Sequence, residues 1–268
     1  MTLYQIWDLV SYIAGKFPSG GAIPPARFNL LAPQVQDEWY QQLLGEVMAA
    51  SANQMVLDKI LSTTPLIPFK QTILMAAGGE GNSPLPIDYN RYISAQTKYA
   101  GINNSGGTKV RKIDIVSDDL FAKKRGDIFT RAGITPFAKI NSYGVWVVPF
   151  DIEDYTLDYF RKPDIPFMDW CQDGDNPNRI IYMPVGSAIY ESNTQEVYEL
   201  RLGATVINAN VIRDGLTTGG PGAAYASKTV ELEYDNQYHY HFVYLMLAKC
   251  GVNLSEDLVV KYAMEMGK

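Results

Sequence analysis

The stretch AKINSYGVWVVPFDIEDYTLDYFRKPDIP, residues 138–166, carries the clearest strand signal in the chain and divides two regions of helical pattern. Ala138 and Ile140, then Val145, Val147 and Val148, with Tyr143 and Trp146 between them, read as two extended segments. Asn141-Ser142-Tyr143-Gly144 has the composition of the turn that joins them. A third extended segment follows at Tyr155–Arg161, where Tyr155, Leu157 and Tyr159 share one face and Thr156, Asp158 and Phe160 the other. That period of two is the mark of a half-buried strand. Pro163 and Pro166 end the ladder, because neither can donate a main-chain hydrogen bond.

Toward the N-terminus the period changes. Leu3, Ile6, Trp7, Val10, Ile13, Ala14 and Phe17 recur at helical spacing behind Thr2 as a cap. Pro18-Ser19-Gly20-Gly21 breaks that helix, and Pro24-Pro25 restarts one. Its stripe is Phe28, Leu31, Ala32, Val35, Trp39, Leu43 and Val47, with Pro33 expected to kink or split it. A further helical run covers Ser51–Leu61. From Pro65 the chain reads as extended over Leu66–Met75 and Tyr92–Tyr99, with turns at Gly78–Asn82 and Asn103–Gly107. Val110–Val116 is strand-like, and Ser117-Asp118-Asp119 caps a short helix ending near Gly126.

Beyond the central stretch the pattern loosens. Polar loops at Asp173-Gly174-Asp175-Asn176-Pro177, Gly215 and Gly219–Gly222 surround strand candidates at Ile180–Met183 and Tyr198–Ile207. Residues 167–228 therefore read as a loop-rich inserted arm. Helical periodicity returns with Phe242, Leu245, Met246 and Cys250, stopped by Gly251. A last helix, capped by Ser255, carries Leu258, Val259, Tyr262 and Met266.

The expected fold class is α+β. It divides into an N-terminal helical part (1–64), a mixed β body with the hairpin (65–166), the loop-rich arm (167–228), and C-terminal helices packing on the body (229–268). With 268 residues and 47% hydrophobic content, a substantial core is available. A net charge of -6 gives no overall attraction to nucleic acid or anionic lipid, although Lys109–Lys112 forms a local basic run. Two cysteines, Cys171 and Cys250, suggest reduced thiols. The N-terminus lacks a basic leader region and a cleavage site, and no apolar run is long enough to span a membrane.

Catalytic patterns find little support. His239 and His241, the only histidines, sit two residues apart and diverge on the expected helix, which disfavours a shared metal, whereas on a strand they would share a face. Asp173, Asp175 and Asn178 resemble the start of a calcium loop, but Pro177 takes its fifth position and the later glycine and glutamate are out of register. Gly106-Gly107-Thr108-Lys109 and Gly219-Gly220-Pro221-Gly222 lack the full spacing of a phosphate loop. No GxSxG motif is present, and Cys171 with His239 reads as a structural thiol and a separate imidazole. Asp151, Glu153 and Asp154 are carboxylates of the kind a glycosidase pairs, in a composition common to acidic loops.

Five segments together resemble virion neck proteins of crAss-like and related podoviruses of Bacteroidetes. They are YQIWDLVSYI (4–13), RFNLLAPQVQDEWYQQLL (27–44), LPIDYNRYISAQ (85–96), YFRKPDIPF (159–167) and ELEYDNQYHYHFVYLMLAKCGVNLSEDLVVKYAMEM (231–266). The resemblance covers about three quarters of the chain, and residues 167–227 depart from it. It implies a non-enzymatic ring protein without cofactor or metal, present in about twelve copies to match a portal. Portal, neck and tail proteins are the implied partners. The genome would pass through the channel without specific binding, no membrane would be involved, and assembly in the host cytoplasm would place the protein in the virion neck or tail. Within a ring, the expected interface loops carry Asn103, Asn104, Asp173, Asp175, Tyr190 and Tyr225. Deleting the arm is then expected to leave a folded subunit that fails to assemble. The alternatives are a virion-associated glycan-binding module, using exposed Tyr and Trp, and a polysaccharide or peptidoglycan hydrolase using Asp151, Glu153 or Asp154.

Overall fold

The computed structural model describes residues 1–16, 23–50, 65–78, 81–99, 109–126, 135–149, 152–173, 176, 179–191, 198–202, 205–210, 224–252 and 262. In chain order the helices are α1 (Leu3–Gly15), α2 (Pro25–Ala50), α3 (Asp118–Gly126) and α4 (His239–Lys249). The strands are β1 (Lys70–Ala76), β2 (Asn82–Ser83), β3 (Tyr89–Tyr99), β4 (Lys109–Lys112), β5 (Asp114–Ile115), β6 (Phe137–Asn141), β7 (Gly144–Val148), β8 (Asp154–Arg161), β9 (Trp170–Asp173), β10 (Ile180–Tyr182), β11 (Ala188–Glu191), β12 (Tyr198–Leu202), β13 (Thr205–Asn210) and β14 (Ala224–Ala226). The fold is α+β. It comprises two compact units, one of Met1–Pro68 with Pro163–Lys268 and one of Phe69–Lys162.

In the Phe69–Lys162 unit two four-stranded sheets face each other. One has the order β1-β8-β3-β4 and the other β2-β7-β6-β5. The hairpin forms as the alternation predicts: β6 and β7 pair antiparallel from Phe137↔Val148 to Asn141↔Gly144. Asn141 Oδ1 accepts the Tyr143 N–H at 3.0 Å, closing the turn from its own side chain. The third segment does not extend this ladder. β8 lies in the other sheet between β1 and β3, so Tyr155 and Leu157 meet Val145 and Val147 across the core. β7 is buried along most of its length because its other side packs with Phe121 of α3, through Val148 and Trp146.

Local chemistry accounts for the smaller elements. Ser117 Oγ accepts the Leu120 N–H at 3.4 Å, and α3 has Asp118 and Asp119 in its first turn and Lys123, Lys124 and Arg125 in its last, matching the helix dipole at both ends. The span 110–116, expected as one strand, divides at Ile113 into β4 and β5, which belong to different sheets. Leu66–Met75, expected to be extended, opens with a 3-10 turn at Ile67–Phe69 before β1.

In the other unit, α1 buries Leu3, Ile6, Leu9, Val10, Ile13 and Ala14, and a full capping box joins Thr2 to Gln5. Each buried Leu or Ile contributes about 2 kcal/mol. α2 runs through Pro33 as one helix, so of the expected kink or split the split does not occur. α4 packs on α1 and α2, which corrects the expectation that the C-terminal helices complete the β body. Gly251 ends the segment after α4 with φ +81, as the stop signal requires.

Within 167–228 the strands expected at Ile180–Met183 and Tyr198–Ile207 form, the first as β10 and the second as β12 and the start of β13. The described residues of this expected arm form a six-stranded antiparallel sheet, β10-β9-β13-β12-β11-β14, in the same unit as α1, α2 and α4. The segments at its two ends pair with each other. Phe167 and Val230 bridge antiparallel, with N–H···O distances of 3.0 and 2.8 Å. β9, β11 and β14, only three or four residues long, have no pattern strong enough to stand out from the loops around them. The Ser51–Leu61 run, the 103–107 turn and most of the last helix lie outside the described residues.

Candidate functional site

The predicted interface residues do not converge. Asn103, Asn104 and Asp175 lie outside the described residues. Asp173 ends β9 and is buried, its Oδ2 accepting from Arg179 Nη1 at 3.3 Å. Ile189 is opposite Tyr225 across β11 and β14, and Tyr190 is opposite Ala224, so Tyr190 and Tyr225 reach the same sheet edge on opposite faces. Tyr225 packs on the small core of Cys171, Ile181, Met183, Ile189 and Leu200, with Lys228 Nζ 5.7 Å from its ring centroid.

The catalytic candidates are likewise separate. Cys171 is buried, and desolvation, helped by the charges of Asp169 and Asp173, pushes its thiol up to about 11. That suppresses the thiolate a nucleophile requires. His239 Nε2 lies 2.9 Å from the Tyr234 carbonyl, whereas the His241 ring lies tilted against Trp39 at 5.0 Å and Tyr244 at 6.0 Å between centroids, so the two imidazoles diverge as helical spacing dictates. Glu153 and Asp154 are exposed, and Asp151 lies outside the described residues. Among the described residues no group of three His, Cys, Asp or Glu side chains is placed to hold a metal, and no helix is long and apolar enough to cross a membrane.

Within the Phe69–Lys162 unit, a cavity of about 520 Å³ lies beside α3, lined by Asp118, Phe121, Arg125, Lys139 and Trp146 among others. Lys139 Nζ pairs with Asp118 at 3.1 Å and sits 5.2 Å from the Phe121 ring and 5.6 Å from that of Trp146. Aromatic faces attract a cation, so the rings hold this ammonium in place. Trp146 Nε1 is buried without a hydrogen-bond partner among the described residues. The lining has the chemistry of a binding surface, two cations and one carboxylate on an aromatic floor. Sequence reasoning passed over it because Lys139 and Asp118 look like ordinary surface charges until β6 and α3 pack together.

The outer face of the β1-β8-β3-β4 sheet is the second surface. Across it run Leu74, Thr156, Gln96 and Lys112 in one row, with Thr72, Asp158 and Ser94 in the row beside it. Asp158 accepts from Thr72 Oγ1 at 2.7 Å and from Ser94 Oγ, tying both neighbouring strands to β8. Leu74 is 68% exposed and Val110 63%, one on each edge strand.

Charge is divided between the units. Phe69–Lys162 holds 13 Lys and Arg against 10 Asp and Glu, a formal +3. The remaining residues hold 10 against 19, a formal -9, and the two together make the net -6. No family model matches the chain, and no curated protein matches it.

Proposed function

We propose that this chain is a non-enzymatic structural subunit of a ring in a virion neck or tail, connecting a portal to the tail around the DNA channel. The observation that carries this reading from the structure is that one sheet ends in two unlike edges, β1 and β4, neither paired with a further strand among the described residues. A subunit with two unlike edges favours contact between one edge of a copy and the other edge of its neighbour. Contact between unlike faces is a heterologous interface, the kind that closes into a ring. The neck-protein resemblance of the five sequence segments supplies the setting. Portal and adjacent neck or tail proteins are the partners in this reading, and the net negative charge disfavours grip on the passing genome.

The test is the copy number of the protein in purified particles, by quantitative mass spectrometry against the portal protein. About one copy per portal subunit, about twelve in all, is expected. Hundreds of copies, or absence from the particle, would overturn the reading.

A further inference from the structure

We infer that neighbouring copies join edge to edge, β4 of one subunit pairing antiparallel with β1 of the next in a single register that sets Val110 opposite Leu74 and Lys112 opposite Thr72. This rests on the ring reading above and names the surface through which the ring would close.

The strand directions supply the first argument. β1, β8, β3 and β4 are each antiparallel to their neighbour, so the two edges of this sheet run in opposite directions. A second copy in the same orientation, set beside β4, therefore presents its β1 antiparallel to that edge. Repeating the step uses the same two unlike edges each time, which is heterologous contact.

The main-chain phase supplies the second. Ala77 N–H bonds to Glu153 O at 2.7 Å, continuing the β1–β8 ladder. Alternate residues of an antiparallel strand turn their polar groups to opposite sides. Met75 and Ile73 thus face β8, and Thr72 and Leu74 direct their N–H and C=O outward. On the other edge Ile113 N–H bonds to Ala95 O at 2.8 Å, so Arg111 faces β3, and Val110 and Lys112 face outward. Among the described residues no strand lies beyond β1 or β4.

Register follows by elimination. Outward residues must meet outward residues, which leaves three alignments. Placing Lys112 opposite Lys70 sets like charges side by side. Placing Val110 opposite Ala76 asks for a carbonyl that already accepts from Ser83 Oγ at 2.6 Å. The remaining alignment pairs Val110 with Leu74 and Lys112 with Thr72, and each pair exchanges two N–H···O bonds. Leu74 and Val110 stand on the same outer face, because Leu74 shares its row with Lys112, two residues from Val110. The pairing therefore covers two exposed apolar side chains with each other. Unpaired edges with exposed apolar residues are sites that proteins ordinarily protect.

The experiment uses the full chain with Cys250→Ser, carrying either Leu74→Cys or Val110→Cys, and a short thiol-specific bifunctional cross-linker. An equal mixture of the two variants is expected to give a cross-linked heterodimer, with neither variant cross-linking alone. A homodimer from Leu74→Cys alone, meaning β1 pairs with β1, or no cross-link in the mixture, would overturn the proposal. As an independent check, Leu74→Glu is expected to reduce oligomer formation at least about tenfold, and adding Val110→Lys on the facing edge to restore most of it. Unchanged oligomer formation by Leu74→Glu would also overturn it. Particle copy number, by contrast, tests the ring reading alone, so the two can fail separately.

Discussion

Asn29 on α2 and Met168, 139 residues later, exchange two hydrogen bonds: Asn29 Nδ2 donates to the Met168 carbonyl at 2.8 Å, and Asn29 Oδ1 accepts the Met168 N–H at 2.9 Å. One side chain thus serves both main-chain groups of a residue at the entry to the six-stranded sheet. Asn29→Ala is expected to destabilise the unit by about 2 kcal/mol, since both Met168 groups lose their partner. Asn29→Asp keeps only the acceptor and should fall between. Urea denaturation with unchanged slope would check both.

The same connection changes the outcome expected of a deletion. Glu231 accepts from Leu3 N–H at 2.5 Å and from the Tyr182 hydroxyl, Tyr4 stacks on Tyr182 at 5.2 Å, and Phe167 pairs with Val230. Removing residues 167–228 takes away Met168 and Tyr182 and with them partners of α1 and α2. The expected product is a destabilised chain that loses its cooperative thermal transition, rather than a folded subunit defective only in assembly. Differential scanning calorimetry of the deletion protein decides between these.

Gly144 closes the central hairpin with φ +145, and a Cβ there would stand 2.3 Å from the Ser83 main-chain oxygen. Backbone strain and this clash act together, so Gly144→Ala is expected to cost about 3 kcal/mol or more. The neighbouring Tyr143 is 81% exposed, and Tyr143→Ala should change stability by less than about 0.5 kcal/mol. Thermal melts of the two variants provide the comparison.

His239 is buried, and Nε2 must carry the proton because the Tyr234 carbonyl can only accept. Burial, with a smaller contribution from the N-terminal ammonium, holds the imidazole below its ordinary 6.5. The unfolded chain therefore takes up the proton first as pH falls. The contribution of neutral His239 to stability is complete above about pH 6.5 and is lost as pH drops through its lower folded value. Melting temperature should decline over that window, and His239→Gln, which retains a donor for Tyr234, should flatten the decline.

Asp158 joins β1 and β3 to β8 through Thr72 and Ser94. Asp158→Ala is expected to destabilise the sheet by about 2 kcal/mol. Hydrogen exchange should show the loss as faster exchange of amides along β1, the edge strand. Exchange in α4, in the other unit, should be unchanged.

Much of the fold was written in local pattern. The apolar stripe from Leu3 to Ala14, the Asn141–Gly144 turn and the Gly251 stop are each decided by residues within a few positions of one another, and short-range sterics and hydrogen bonding suffice to read them. Partnership was not legible in this way. β8 carries the alternation of a strand, but nothing in Tyr155–Arg161 says that it pairs with β1 and β3 instead of β7. That choice depends on how two sheets share one core, with Leu157 and Val147 both buried in it. The short strands of 167–228 are stabilised by cross-strand neighbours, so strand candidates at Ile180–Met183 and Tyr198–Ile207 were legible but their assembly into one six-stranded sheet was not. The candidate surfaces follow the same division. Sequence alone determined the net charge, the diverging histidines and the lack of a recognisable catalytic motif. Only tertiary structure set Lys139 beside Trp146, separated the charge into two units, and placed Leu74 and Val110 on opposite edges of one sheet, because each relation is made by strands and helices that meet only after the chain has folded.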